Sequence, residues 1–262
     1  MNKKTIIITA IVIVVLFILL EIYLNVNYNL KIYIMNAGKA DCSVITYNDK
    51  TIVIDTGEED FYDTLDSFLR SNSITKVDYL IITHFDKDHV GSASKLIDNY
   101  DIGTIYQTNK PKNSEFYDNY IRSIRNKNID PITVSNDLDV SMDDLKIIIN
   151  GPTKVYNVDE HNNSSLITSI KYKNRSYLFM GDAMNERMSD YLNSHDDKYN
   201  IIKLPHHGDY MKGDKDLVDK FKPSGVVVSS NFMDDRLKDL IKDKKLKLYY
   251  TNDSNFILFK ER

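Results

Sequence analysis

Histidine is scarce in this chain: six in 262 residues. Two of the six fall in Thr83-His84-Phe85-Asp86-Lys87-Asp88-His89, beside two aspartates. Imidazole nitrogen and carboxylate oxygen are the donors that divalent cations accept. Pro205-His206-His207-Gly208 holds two more histidines, and two further motifs, Asp55-Thr56-Gly57 and Gly181-Asp182, set an aspartate near a glycine. These parts suit a dinuclear hydrolytic site. Two cations about 4 Å apart need several His and Asp ligands and one bridging carboxylate. Such a pair makes water nucleophilic near neutral pH and stabilises developing negative charge, so no nucleophilic side chain is required. Each fragment alone is an ordinary turn or an exposed pair. Their joint occurrence is what points to a site. His161 and His195 carry less weight, and His195 reads as part of an exposed loop, Asn193-Ser194-His195-Asp196-Asp197.

The elements that must position these residues are legible around them. Val77 to Ile82 is an apolar, partly β-branched run and reads as a buried strand. Residues 91–99 read as the helix that follows, so the first motif sits at the C-terminal end of a strand, where α/β folds place their chemistry. Strands are also predicted over 31–35, 42–47 and 51–55, the last ending in Asp55-Thr56-Gly57. In the second half, strands over 165–171 and 175–180 precede Gly181-Asp182, where glycine allows close backbone approach, and 199–204 precedes Pro205-His206-His207-Gly208. Helices are expected over 58–70, 113–126, 183–192, 217–221 and 236–243, and further strands over 102–106, 131–135, 145–150, 226–230, 246–251 and 255–259. Strands mixed with helices predict two mixed sheets with helices outside. No repeat is evident at sequence level.

The formal net charge of −4 argues against a protein that coats nucleic acid through a generally basic surface, and leaves room for a local basic groove. Lys110, Lys112, Arg122, Arg125 and Lys127 could form such a rim, although scattered charges more often belong to a solvated face. Cys42 is the one cysteine. It excludes an intrachain disulfide and reads as a small core residue. At the N-terminus, Lys3-Lys4 precedes an uncharged apolar run from Thr5 to Leu20, with Glu21 and Ile22-Tyr23-Leu24 following. A bilayer crossing takes about 20 helical residues, which residues 5–24 supply. The lysines favour a cytoplasmic N-terminus with the rest of the chain outside. No small-x-small site follows Leu20, so an uncleaved anchor is expected over a cleaved signal and a secreted chain.

The order Asp-Thr-Gly, His-x-Asp-x-Asp-His, Gly-Asp, His-His-Gly resembles the metallo-β-lactamase superfamily. More closely, it is similar to the extracytoplasmic hydrolase domain of the DNA-uptake channel ComEC and its free-standing relatives. Asn36-Ala37-Gly38-Lys39-Ala40-Asp41-Cys42 loosely matches that group's Gly-x-Gly-Asp-Ser stretch. Asn162-Asn163-Ser164-Ser165-Leu166 matches its Asn-x-x-Ser-Leu element, and Leu204-Pro205-His206-His207-Gly208 matches closely. The resemblance implies an α/β, four-layer αββα fold over residues 28–262, preceded by one transmembrane helix and linker over 1–27. It implies that His84 and Asp86 hold one divalent metal ion and Asp88 and His89 the second. Asp182 would bridge, His206 or His207 would complete the second position, and Asp55, Asn163 and Ser165 would support from behind. Asp88 and His207 are the residues tied most directly to catalysis.

Four departures bear on this reading. The broad superfamily has histidine where Asp86 stands, which points away from β-lactamases and makes Mn²⁺ a rival of Zn²⁺. The histidine usual between the two halves has no clearer counterpart than His161. Asp209 replaces a serine after His-His-Gly, and Phe232-Met233-Asp234-Asp235 stands where the competence group tends to carry a His-Pro pair. The expected function is a membrane-anchored, outward-facing metal-dependent hydrolase acting on a phosphodiester, such as DNA or another phosphorylated polymer of the cell envelope. The alternatives are a small-molecule ester or lactam hydrolase on the same site, and a non-catalytic binding protein on a decayed hydrolase fold. Against the last, two Asp and two His held together without a cation would be costly.

Overall fold

The computed structural model describes residues 2–26 and 28–262, residues 19–26 by backbone alone. Helix α1 (Lys3–Val26) comes first. It presents Ile, Val, Leu and Phe side chains outward from Ile6 to Ile18, none of them buried against the rest of the chain. Among the described residues no helix is long and apolar enough to cross a membrane. The expected span over 5–24 is therefore not supported on those residues, and the side chains of 19–24 lie outside them.

The first sheet begins with an antiparallel meander of β1 (Leu30–Met35), β2 (Cys42–Tyr47) and β3 (Lys50–Thr56). It continues in parallel with β4 (Lys76–Ile82), β5 (Asp101–Gln107) and β6 (Ile132–Thr133). The crossovers are α2 (Tyr62–Ser71), α3 (Lys87–Val90), α4 (Ala93–Asn99) and α5 (Glu115–Asn126). The second sheet repeats the plan. Antiparallel β7 (Asp137–Asp139), β8 (Leu145–Asn150), β9 (Ile167–Tyr172) and β10 (Arg175–Phe179) are followed by parallel β11 (Ile201–Lys203), β12 (Gly225–Val228) and β13 (Lys247–Tyr250). Helices α6 (Glu160–Asn163), α7 (Asn185–Ser194), α8 (Lys212–Phe221) and α9 (Asp235–Asp243) connect them, and β14 (Phe256–Glu261) returns to pair with β1. Each sheet has seven strands.

Period-two alternation decides the layers. Ile52 and Ile54 of β3 face the second sheet and pack with Ile147, Ile149 and Phe179. Val53, between them, faces the other way, onto the layer of Leu65, Leu96 and Tyr120. Leu178, Ile202 and Val226 pack outward on Met188, Leu217 and Leu237. Helix–sheet–sheet–helix is the result, as expected. The helix expected over 91–99 starts at Ala93, and the short α3 precedes it; Gly91, between the two, lies against backbone, where a Cβ would come within 2.3 Å of the Lys87 carbonyl and 2.7 Å of the Glu59 nitrogen. Helix α8 starts five residues earlier than its apolar spacing suggested. Buried Asp214 accepts from the Met211 nitrogen at 2.7 Å and begins it.

Candidate metal centre

The motifs meet where the two sheets' parallel strands begin their crossovers: at the ends of β3 and β4 on one side, β10 and β11 on the other. Asp55, at the end of β3, is buried and holds a left-handed φ of 55°. That conformation is uncommon outside glycine. It turns the carboxylate onto β4's continuation, where Thr83 donates through its backbone nitrogen at 2.8 Å and its hydroxyl at 2.7 Å. The same carboxylate lies 2.8 Å from Nδ1 of His89. With Nδ1–H so engaged, the Nε2 lone pair of a neutral His89 is left for a cation. Gly181 permits the facing strand end to come close, since a Cβ there would sit 3.1 Å from the side chains of Ser165 and Thr83. Ser165 then accepts from the Asp182 nitrogen at 3.2 Å and fixes that turn.

Four donors converge on the second-sheet side. His89 Nε2 and His207 Nε2 are 3.0 Å apart, Asp182 Oδ1 lies 3.3 and 3.2 Å from them, and Asp88 Oδ2 is 3.3 Å from His207 Nε2. Donors about 2.0–2.2 Å from a shared cation stand roughly 3.0–3.5 Å apart, so His89, His207 and Asp182 fit one, with Asp88 beside His207. The other Asp182 oxygen, Oδ2, faces the opposite way, 3.9 Å from His84 Nε2, which is itself 3.8 Å from Asp86 Oδ1. Buried His84 Nε2 and Asp182 Oδ1 have no hydrogen-bond partner, and a buried polar atom without one is costly unless something else satisfies it. The residues therefore fit a divalent cation on the His89 and His207 side of Asp182, the one such group among the described residues, and His84 and Asp86 stand on the other side.

The charges agree. Burial opposes charge on His89 and His207, but Asp182 and Asp55 outweigh it for the first, and Asp182 and Asp41 for the second. Both stand well above the ordinary imidazole value. Burial pushes Asp182 up, and His207 and His89 outweigh it and hold it well below the carboxylate range. Asp88 is brought to about 2, burial being outweighed by the His207 hydrogen bond and the His89 charge. Asp55 is raised by its burial in spite of His89. His84, with burial and then His89 against it, falls to about 3 and is a neutral imidazole.

The structure separates the two adjacent histidines. His206 and His207 both adopt left-handed backbone, φ 53° and 50°. The turn sends His207 into the cluster and His206 outward, where its Nδ1 lies 3.5 Å from Asp209. Asp209 in turn pairs with Lys39 at 2.8 Å. Asn163 sits one step further out than expected: its oxygen accepts from the nitrogen of buried Arg187, whose Nε donates to the Ser165 carbonyl. His161 stays at the edge, 3.9 Å from Glu160. His195 is not simply exposed, for it stacks on Tyr191 with ring centroids 4.0 Å apart and lies 3.4 Å from Asp137. Cys42 is a core residue, its thiol pushed well up by burial. Where a His-Pro pair was looked for, Met233 is core and Asp234 caps α9 by accepting from the Arg236 nitrogen.

Sequence reasoning missed several participants. Lys112, counted only in a scattered basic rim, places its ammonium 2.6 Å from Asp86. Thr83 links Asp55 to both motif histidines, its hydroxyl 3.2 Å from His84 Nδ1 and 3.3 Å from His89 Nδ1. Asp41 lies with His89, Asp182 and His207 in one buried group. Buried Lys203 was signalled by a lysine inside the apolar run Ile201-Ile202-Lys203-Leu204.

A sequence model of the metallo-β-lactamase superfamily matches residues 35–229. The chain is 22% identical over 205 residues to ComE operon protein 3 of Bacillus subtilis (strain 168), a match covering 76% of this chain and 25% of that protein. It thus spans a quarter of the length of the curated relative it matches. Among solved structures it is similar to Tm1679, a metal-dependent hydrolase of the β-lactamase superfamily, with 12% identity, TM-score 0.61, and coverage of 88% of this chain and 100% of the other. It is also similar to CmlA, a diiron β-hydroxylase from Streptomyces venezuelae, with 13% identity, TM-score 0.59, and coverage of 89% and 54%. At such identities the structural likeness speaks for the fold alone.

Proposed function

Since the chain belongs to the metallo-β-lactamase superfamily, we propose that it is a metal-dependent hydrolase with a two-cation centre that cleaves phosphodiesters at the outer face of a membrane. His84 and Asp86 hold one cation, Asp88, His89 and His207 the other, and Asp182 lies between. The observation that carries this reading is the orientation of Asp182, one oxygen toward each side. When bound, the cations supply Lewis acidity: they make water nucleophilic near neutral pH and stabilise charge on the oxygens of an in-line displacement. The chain's own residues set the geometry. Asp55 and Thr83 hold the His/Asp loop in place. Asp88 is the most exposed of the second-side donors, its side chain 23% accessible. That exposure makes Asp88 the residue we assign to receive the proton of the attacking water.

Three carboxylates and three imidazoles form a mixed oxygen–nitrogen set, which suits Mn²⁺ as well as Zn²⁺. The phosphodiester assignment is supported by the suitability of paired cations for phosphoryl chemistry and by the ComEC-like likeness. DNA or a phosphorylated cell-envelope polymer is the substrate class. The membrane location rests on the sequence alone, on the uncharged apolar run that begins at Thr5 and the lysines before it, since among the described residues no helix is long and apolar enough to cross a bilayer.

The test is metal content by elemental mass spectrometry, followed by hydrolysis of single-stranded DNA, a chromogenic phosphodiester, an ester and a lactam with the cation found. Turnover of the phosphodiesters, lost in Asp88→Ala without loss of fold, is expected. Preference for the ester or lactam would overturn the substrate assignment. No cation bound by the wild-type chain would overturn the whole reading.

A further inference from the structure

Asp41 is buried at the entrance to β2 and stitches three segments together through its backbone and side chain. Its nitrogen donates to the Asp88 carbonyl at 3.0 Å, and its carbonyl accepts from the Gly57 nitrogen at 2.7 Å. Its carboxylate reaches across to the second sheet. Oδ1 accepts from the Ser229 hydroxyl at 2.5 Å and lies 3.3 Å from Nδ1 of His207. Oδ2 takes the ammonium of Lys203.

By proximity, Asp41 belongs with the cation donors, because one oxygen of it, His89, Asp182 and His207 all offer atoms within 4.8 Å of one another. Its bonding says otherwise. Both oxygens are already engaged, one by a buried ammonium and the other by the Ser229 hydroxyl. A buried lysine is costly unless paired, and Lys203 has Asp41 as that partner. Asp41 lies on the Nδ1 side of His207 as Asp55 does of His89, at 3.3 Å and outside hydrogen-bond geometry against a 2.8 Å hydrogen bond, and the two Nε2 atoms point toward one place, 3.0 Å apart.

We infer that Asp41, held by Lys203 and Ser229, is the positioning residue of His207 and not a cation ligand: it fixes the imidazole ring and the tautomer that leaves Nε2 for the cation. This rests on the two-cation reading above. Outer carboxylates of this kind are worth about 10–100-fold in metal affinity.

The experiment is titration of the full chain with Co²⁺, read by its ligand-field absorption, for wild type, Asp41→Asn, Asp41→Ala and the double variant Asp41→Ala/Lys203→Met, which leaves no buried lysine unpaired. Asn keeps an acceptor for Nδ1, so Asp41→Asn should bind nearly as wild type with the same stoichiometry and spectrum. The two Ala variants should lose about 10–100-fold in the tighter affinity with the spectrum unchanged. An altered spectrum or stoichiometry in Asp41→Asn would make Asp41 a ligand and overturn the inference. Unchanged affinity in a folded Ala variant would overturn it too. In Zn²⁺-loaded wild type, where no variant need fold, the ¹⁵N resonances of His207 should report protonated Nδ1 and metal-bound Nε2; the reverse assignment overturns it. Failure of the wild type to bind either cation would remove the two-cation reading as well, whereas the other adverse results leave that reading standing.

Discussion

On one side of Asp182, two imidazoles approach to 3.0 Å, each with a carboxylate behind its Nδ1. On the other, His84 has only the Thr83 hydroxyl at its Nδ1, 3.2 Å away, and stands 3.8 Å from Asp86, whose near oxygen also meets Lys112. Donor types are similar on both sides. The difference lies in what stands behind them. A ring held beside a carboxylate keeps its orientation without a cation, so that binding needs loss of a proton and little reorientation. A ring without one, beside an oxygen shared with an ammonium, must rearrange. In the two-cation centre we propose, the second-sheet side is therefore the tight position and the His84 side the weak one.

The comparison can be broken at several points. Asp182→Ala should have the largest effect, since its oxygens face both sides: both cations are lost and turnover falls to background. Elemental analysis showing one cation retained at full occupancy would mean that Asp182 does not join the sides. Next come His207→Ala and His84→Ala, compared by cation titration. The first should abolish the high-affinity phase, the second only the low-affinity phase; the opposite pattern would reverse the assignment of tight and weak. Asp55→Ala, which removes the support behind His89, should weaken the tight phase by about 10–100-fold; an effect confined to the weak phase would deny that support makes the difference. Lys112→Ala should act with the opposite sign, strengthening the weak phase about twofold to fivefold, the range of a part-exposed ion pair. A weaker phase in that variant would show Lys112 to be part of the site's support.

A smaller effect separates burial from site-building. Asp214 at α8 is buried with one oxygen unpartnered, and burial raises its pKa to about 7. No imidazole faces it. The folded chain therefore holds this proton where the unfolded chain has released it, so its contribution to stability declines as pH rises from the ordinary carboxylate value to about 7 and is then constant. In Asp214→Asn that decline should disappear. Urea unfolding at pH 5 and pH 8 gives the measure, and an unchanged pH slope would count against it.

Much of this was legible in the chain. Strand ends carrying Asp55, His84 and His207 were marked by apolar runs that stop at turn residues, mixed strands and helices indicated two sheets with helices outside, and the four-layer order came from the family resemblance. What could not be read was contact between residues far apart. Lys112 looks like any surface lysine until the loop after β5 brings it onto Asp86. Asp41 follows an unremarkable turn, and Lys203 and Ser229, which hold it, lie 162 and 188 residues away. His206 and His207 are chemically identical side chains, and only their places in the folded turn, His207 buried and His206 part-exposed, tell them apart.

The position of the centre on the seam has a mechanical side. The His/Asp loop belongs to the first sheet, Asp182 and His207 to the second, and their neighbours bridge the same line, with the Leu166 nitrogen on the Thr83 carbonyl at 3.0 Å and the Thr108 hydroxyl on the Ser164 carbonyl at 2.6 Å. A bound cation is thus a latch between two arms of the chain. A ligand that binds only the folded form adds about 2.7 kcal/mol at a hundredfold excess over its Kd. The latch makes metal supply a determinant of how long the folded chain survives: a chelator weakens the join between the sheets, and a cell rich in the right cation lengthens the protein's life as well as setting its activity.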